Sequence, residues 1–266
     1  MPHPKKVLVL VLSSDKEPYR SIETLGQRAT WAATAIPGAP VLFYYGVTTG
    51  LGYWSMAVTS KLLHRLGLHE LRKSLLRRTG PRYALRTREC GDRIDVQIPD
   101  IYGNIGAKTV GALRHVLQAH QFDFLFRTNT SSYVFLPLLQ RFVQSAPDQA
   151  CYAGFLGQTP QMTFVGGAGI LLSRDMVAFA AQDPAWDWDL MDDLALALSI
   201  ARAGVDPRPL PRIDLRSPDR VTSVPTEQWL TCFHVRCQAA GDRMQDIETM
   251  RRVQAAYASA WNCSVK

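Results

Sequence analysis

At 266 residues, with 47% hydrophobic and 20% charged side chains, the chain has the composition of an ordinary folded protein, not of a disordered or fibrous one. No apolar run approaches the ~18 residues that a membrane-spanning helix needs. The net charge of +7 is concentrated: between Leu51 and Cys90 nine Lys or Arg stand against two acids, Glu70 and Glu89, while the remaining residues balance at 21 of each sign.

The chain opens on Met-Pro-His-Pro-Lys-Lys followed by Val7–Leu12. This run lacks a small-residue cleavage site and enters Ser13-Ser14-Asp15, so it reads as a first buried parallel strand and not as a secretory leader. Helical character follows over Arg20–Ala35. Val41–Tyr45 is a second strand, closed by Gly46 and Thr48-Thr49-Gly50. In the basic segment, 51–90, Leu62, Leu63, Leu66, Leu71, Leu75 and Leu76 interleave with cations at helical spacing, and Gly67 is a break. One or two amphipathic helices there would either pack on the body or lie on an anionic membrane surface. A nucleic-acid role is the weaker reading, because no aromatic platform is interleaved with the cations.

Asp95–Ile98 reads as a strand. A helix from Gly106 to His120 carries Val110, Leu113, Val116 and Leu117 on one face. Phe122–Phe126 is the next strand, Leu136–Ser145 a helix and Ala150–Gly154 a strand. Gly166-Gly167-Ala168-Gly169 leads into Ile170-Leu171-Leu172, with Ser173 placed to cap a helix beginning at Arg174. Asp192–Ala203 is a helix ended by Gly204, and Pro207–Pro225 is Pro-rich and irregular. The alternation of strands and helices predicts one α/β domain with a mainly parallel sheet and an inserted basic segment at about 51–90. Five cysteines (90, 151, 232, 237 and 263) are few and odd in number, which fits free thiols in a reducing cytosol better than a disulfide framework.

The chemistry-bearing residues gather at strand ends. The apolar run Phe122–Phe126 stops at Arg127 and the small polar residues Asn129, Thr130, Ser131 and Ser132, the outline of a buried strand delivering a polar tip to a cleft. The glycine cluster reads either as a plain turn or as a place where backbone approaches a ligand. Asp192 and Asp193 follow Trp186-Asp187-Trp188-Asp189. As acids in the first turn of a helix they suit its dipole; alternatively one is a general base beside Trp186 and Trp188, which could stack on a sugar ring. Cys232, His234 and Cys237 are near enough for zinc, but no second Cys/His cluster completes a structural site. His234 with Arg236 reads either as a cationic pair suited to diphosphate oxygens or as a core His beside a surface Arg.

Taken in order, these pieces resemble the Fringe-like and β-1,3-galactosyl/N-acetylglucosaminyl transferases, an inverting GT-A group. Arg28-Ala29-Thr30-Trp31 is similar to that family's Arg-x-Thr-Trp. Asp100-Ile101-Tyr102-Gly103-Asn104-Ile105-Gly106-Ala107-Lys108-Thr109 is similar to its Asp-x-Tyr-x-Asn-Leu-Thr-Leu-Lys-Thr. Phe126–Val134 occupies the place of its Lys-Thr-Asp-Asp-Asp-Val-Phe-Val, and Gly166–Arg174 that of its Gly-Gly-Ala-Gly-(apolar)-Ser-Arg. Asp192-Asp193-Leu194 matches its acidic-Asp-Val and Phe233-His234 its late Phe-His.

The resemblance implies a GT-A-like Rossmann-type fold and a nucleotide-sugar donor, UDP-linked in the first instance, with a glycan or lipid-linked acceptor. It implies Asp193 as the base that activates the acceptor hydroxyl, a choice over Asp192 made by register alone. Gly166, Gly167 and Ala168 would lie under the sugar or acceptor. Ser13, Ser14 and Arg28 would border the nucleotide. The departure is at the metal: the acidic residue that holds manganese in the family is Ser131 here, with Asn129 and Thr130 beside it, although His234 remains. Neutral oxygens alone hold a divalent cation poorly. The expectation is therefore no metal cofactor, with Lys108, Arg127, Arg236 and Arg243 as the candidates to carry the diphosphate charge; Mn2+ or Mg2+ through Asp187, Asp189 or Asp192 is the fallback.

Overall fold

The structure, a computed structural model, describes residues 3–34 and 36–264, with only the backbone described at 83, 84, 263 and 264. Its strands are β1 (Val7–Leu12), β2 (Val41–Val47), β3 (Thr87–Cys90), β4 (Arg93–Pro99), β5 (Phe124–Asn129), β6 (Ser132–Val134), β7 (Tyr152–Gln158), β8 (Thr163–Ser173), β9 (Arg208–Pro209), β10 (Ile213–Leu215) and β11 (His234–Cys237). Its helices are α1 (Tyr19–Ser21), α2 (Leu51–Arg65), α3 (His69–Ala84), α4 (Ile105–Ala119), α5 (Leu136–Ser145), α6 (Arg174–Gln182), α7 (Asp192–Arg202), α8 (Thr226–Thr231) and α9 (Gln245–Ser264).

A large sheet of mostly parallel strands runs β3-β4-β2-β1-β5-β8-β7-β9. The central pairs β4–β2, β2–β1 and β1–β5 are all parallel, whereas β8 runs antiparallel between β5 and β7. β1 and β5 are apolar on both faces because the sheet is covered on both. Val7, Val9, Val11, Phe124 and Phe126 join the core under α5 and α9, and Leu8, Leu10 and Leu125 join the core under α4, α6 and α7. A three-stranded sheet, β10-β11-β6, stands beyond the end of β5. The chain goes from β1 to β2 on one side and returns to β5 on the other, so the crevice beyond Leu12 and Asn129 is the switch point where such sheets receive ligands.

Several expectations are corrected. The helix over Arg20–Ala35 is not continuous. After α1 the chain widens into a π-turn over Ile22–Gln27, then a short 3-10 turn at Trp31–Ala33; Ala35 lies outside the described residues. Tertiary partners draw the backbone off the α path. The Gln27 amide donates to the carbonyls of Asn129 and Ser132 (2.9 Å each), the Trp31 indole to the carbonyl of Ser132 (3.1 Å), and the Thr30 hydroxyl to that of Gly26 (2.6 Å). The strand expected at Phe122–Phe126 begins two residues later and runs on to Asn129. The glycine cluster is not a turn but the middle of β8. Ser173 precedes α6 without capping it, because its hydroxyl is turned to Asp175. Within Pro207–Pro225 lie β9, β10 and a 3-10 turn. Cys90, Cys151, Cys232 and Cys237 are free thiols; the side chain of Cys263 is outside the description.

The basic segment forms α2 and α3, joined at Gly67, whose φ of +69° suits glycine. α2 buries Met56 and Ser60 yet turns Leu51, Trp54, Val58 and Leu62 to solvent, at 90%, 61%, 60% and 53% exposure. Of the leucines at helical spacing, Leu76 is the buried one, while Leu62, Leu66 and Leu71 are exposed. No helix among the described residues is long and apolar enough to cross a membrane.

Candidate active site

A cleft of about 630 Å3 opens at the ends of β1 and β5, bounded by β8, the start of α7 and the small sheet. Its lining includes Ser13, Ser14, Lys108, Arg127, Asn129, Thr130, Ser131, Gly166, Gly167, Ala168, Asp192, Asp193, Arg236 and Arg243. Arg28, Trp186, Trp188 and His234 are not in the lining.

One wall is a closed network. Arg127, at the end of β5 and 2% exposed, forms an ion pair with Asp192 and donates to the Gly167 carbonyl. Its Nε donates to the Tyr44 hydroxyl at 3.0 Å. Thr109 donates to Asp192 Oδ2 at 3.2 Å and lies 2.9 Å from the Tyr44 hydroxyl. Burial works against the Arg127 charge, but Asp192 outweighs it and holds the guanidinium firmly protonated. Asp192, itself buried, has its Oδ2 engaged by both Arg127 and Thr109. Lys108 is closed in the same way, donating to Asp100 Oδ1 at 2.8 Å and to the Ser13 carbonyl at 3.0 Å. Burial lowers its pKa.

Asp193 is different. Its Oδ2 accepts from the Gly167 N–H at 3.1 Å and its Oδ1 from the Leu194 N–H at 2.9 Å, and no cation among the described residues pairs with it directly. Burial, then the charge of Asp192, push its pKa up. An oriented carboxylate with raised basicity facing a cleft is equipped to take a proton. The glycines of β8 make room for this arrangement. A Cβ on Gly167 would come to 3.0 Å from Arg127 Nη1 and 3.3 Å from Asp193 Oδ2, and one on Gly169 would collide with the His234 ring.

The opposite wall is cationic. Arg212, Arg236 and Arg243 converge from the small sheet and the loop after it. Arg243 pairs with Asp246 (2.8 Å) and donates to Ser131 Oγ (2.8 Å); Arg212 pairs with Asp214 (3.0 Å) and lies 3.8 Å from the Phe155 ring centroid. Arg236 Nε is buried without a hydrogen-bond partner among the described residues. Burial, then the like charge of Arg212, lower its pKa. A buried donor left open in this way is the complement of an anion.

The residues outside the lining have other duties. Arg28 pairs with Glu23 (2.6 Å) and with Asp92, and stacks on Phe43 at 4.0 Å. Trp186 is buried in the core, and Trp188 packs over Gly80. His234 is buried behind Gly169, its Nε2 3.1 Å from Ser132 Oγ. Burial, then Arg212 and Arg236, pull its pKa down to about 3, so it is neutral and gives the cleft no charge. Sequence reasoning passed over Lys16, Tyr102, Phe155, Met191 and Arg212, all in the lining. Lys16 had a signal in its nearness to Ser14, whereas Arg212 stands in a Pro-rich stretch with none.

No protein-family model matches the sequence, and no curated protein matches it. Among solved structures the chain is similar to the mannosyltransferase PcManGT from Pyrobaculum calidifontis, determined in complex with GDP-Man and Mn2+. The identity is 12% over 99% of this chain and 76% of that chain, with a TM-score of 0.44.

Proposed function

We propose that the chain is an inverting glycosyltransferase of one GT-A-like domain, which moves a sugar from a nucleotide donor, UDP-linked in the first instance, to a glycan or glycolipid acceptor. The observation that carries this reading is the facing of Asp193 and Arg236 across one cleft: a carboxylate held for proton transfer opposite a cation held open for an anion. The family resemblance of the sequence supports the same roles.

In this reading Asp193 takes the proton of the acceptor hydroxyl. The freed oxygen attacks the anomeric carbon as the bond to the diphosphate oxygen breaks on the opposite face, so the configuration inverts in one displacement. The charge that develops on the diphosphate falls first to Arg236, which has no ion-pair partner among the described residues; Arg243 and Arg212 stand beside it with Asp246 and Asp214 as partners, and Arg127 and Lys108 are buried against Asp192 and Asp100.

The residues at the family's manganese position do not fit a divalent cation. Ser131 offers a hydroxyl that already accepts from the Arg243 guanidinium, its neighbours Asn129 and Thr130 are neutral, and His234 is turned to Ser132. No step is therefore assigned to a metal in the cleft. Turnover or tight binding across a panel of nucleotide sugars, in EDTA and in manganese, tests this. Turnover in EDTA supports cations in the metal's role. Activity only with manganese overturns that role, and no donor binding in either condition favours a non-catalytic relative.

The exposed stripe of α2 supports a place for the chain at an anionic membrane surface, as a cytoplasmic enzyme of bacterial-type surface polysaccharide synthesis at the inner face. Leu51, Trp54, Val58 and Leu62 form the apolar line, and Lys61 and Arg65 flank it. Lys16, which lines the cleft, lies 4.8 Å from the Tyr53 ring centroid, so the stripe starts beside the cleft mouth, where a lipid-linked acceptor would arrive. Binding to anionic vesicles should weaken with salt, and be lost when Leu51, Trp54, Val58 and Leu62 are replaced by serine as well as when residues 61–78 are removed. Absence of binding at low salt would end this part of the reading.

A further inference from the structure

Away from the cleft, three side chains from the basic segment and α4 meet at the edge of the large sheet. Glu89 stands on β3, the edge strand, His115 on α4, and His120 is the first residue past α4. Both imidazole Nε2 atoms point at one carboxylate oxygen, Glu89 Oε2, at 2.6 Å from His115 and 2.9 Å from His120. One ligand atom from each residue lies within 4.8 Å of the others. None of the three lines the cleft.

This meeting is not what helical spacing provides. Residues five apart on a continuous α-helix point about 140° away from each other. The helix stops at Ala119, and His120 is extended, with φ −125° and ψ 147°, which lets its ring turn to the same carboxylate as His115.

We propose that Glu89, His115 and His120 form a binding site for a divalent first-row transition metal of the zinc class, tying the sheet's edge to the end of α4. Two imidazoles and a carboxylate are a donor set that such ions prefer and that magnesium and calcium do not. A partner orients one ring: His115 Nδ1 lies 2.9 Å from Thr87 Oγ1. With its proton on Nδ1, donated to Thr87, the Nε2 lone pair faces the Glu89 oxygen; the two atoms stand at a hydrogen-bond separation of 2.6 Å and would open to about 3.3 Å around a tetrahedral ion. The three side chains remain between 16% and 25% exposed, which leaves a fourth, tetrahedral position open to water.

The position has a consequence for the basic segment. α3 ends at Ala84 and β3 begins at Thr87, so the metal would fasten the chain where it returns from the α2–α3 excursion to the sheet. Bound to the folded state alone, it would stabilise the fold in proportion to its concentration.

The test is a cobalt(II) titration of the full chain, followed by visible absorption and by thermal melting. One equivalent of cobalt with tetrahedral nitrogen and oxygen ligation, displaced by zinc, and a melting temperature that rises with metal concentration is the expected result. His120→Gln and Glu89→Gln keep groups able to hydrogen-bond at those positions but should abolish the stoichiometric spectrum while melting like the parent in EDTA. Thr87→Val should weaken affinity about tenfold at unchanged stoichiometry. Cys90→Ser, next to Glu89 and exposed, should change nothing. A sulfur-to-cobalt charge-transfer band, loss of binding in Cys90→Ser, or a parent chain that takes up no cobalt would each overturn the site, and the last needs no variant to fold. If EDTA lowers transferase activity through this site, the His120→Gln protein will be insensitive to EDTA. If metal acts in the cleft, that variant will remain sensitive.

Discussion

Arg127 and Arg236 line the same cleft with the same functional group and opposite circumstances. Arg127 comes from a strand of the main sheet and meets Asp192, the Gly167 carbonyl and the Tyr44 hydroxyl. Arg236 comes from the small sheet and keeps its Nε without a partner. A guanidinium whose charge is already compensated can position neighbours but has little left for a ligand. One whose Nε is buried beside Arg212 without a partner among the described residues, with Asp214 only partly offsetting that neighbour, is left open to an anion. In the proposed reading the network wall sets geometry and the cationic wall binds the donor.

The sharpest way to break that division is at Asp193, which Gly167 and Leu194 hold facing the cleft. Asp193→Asn should lower turnover by about 10³-fold while leaving donor affinity nearly unchanged, read from steady-state rates and calorimetric binding. A variant that loses donor affinity instead would make Asp193 a binding group. Next, Arg127→Leu leaves Asp192 buried without its counter-charge, and should cost about 3–5 kcal/mol of stability in urea unfolding. Adding Asp192→Asn should recover part of that loss. An Arg127→Leu protein as stable as the parent would show that the network wall is not a closed unit.

A pH titration sharpens the buried side. His234 carries a pKa pulled down to about 3 from the usual 6.5, so between those values the unfolded chain holds a proton that the folded chain does not. Stability is therefore present above about 6.5 and lost as pH falls towards 3. The His234 share of the loss between pH 7 and pH 4 should be about 3 kcal/mol, and His234→Gln should remove that share from the slope. Smallest is Arg236→Gln, expected to weaken donor binding about tenfold with the melting temperature unchanged or raised, since a buried cation beside Arg212 is removed. A drop in melting temperature without a loss of affinity would make Arg236 a structural residue.

The strands and helices legible in the sequence are those whose own apolar pattern suffices: β1, β2, α4 and α5 bury faces that their spacing announces. The π-turn at Ile22–Gln27 and the strands of the small sheet were not legible, because they are set by partners far along the chain. Gln27 and Trp31 are held by the backbone beyond β5, and β11 is paired across to β6. The site divides on the same line. Asp193, Ser13 and Ser14 reach the cleft from elements whose ends the sequence marks, whereas Arg236 and the β8 glycines were singled out by residue type and not by the strands that carry them. Arg28 and His234 carry the family's residue types but are drawn off by Glu23, Asp92 and Ser132, contacts that no local pattern encodes. What distinguishes Asp193 from Asp192 is the same kind of information: Arg127, far upstream, takes one acid and leaves the other.

The two rims of the large sheet are short in ways that keep it from growing. At one end β3 offers only Thr87–Cys90, with Arg88 and Glu89 in the run. At the other β9 is Arg208–Pro209, whose proline has no N–H to offer. A further strand from a second molecule would find few free backbone groups on one rim and a missing donor on the other. Exchanging Pro209 for a β-branched residue should therefore show itself first as a loss of colloidal stability at high protein concentration, before any change in the cleft.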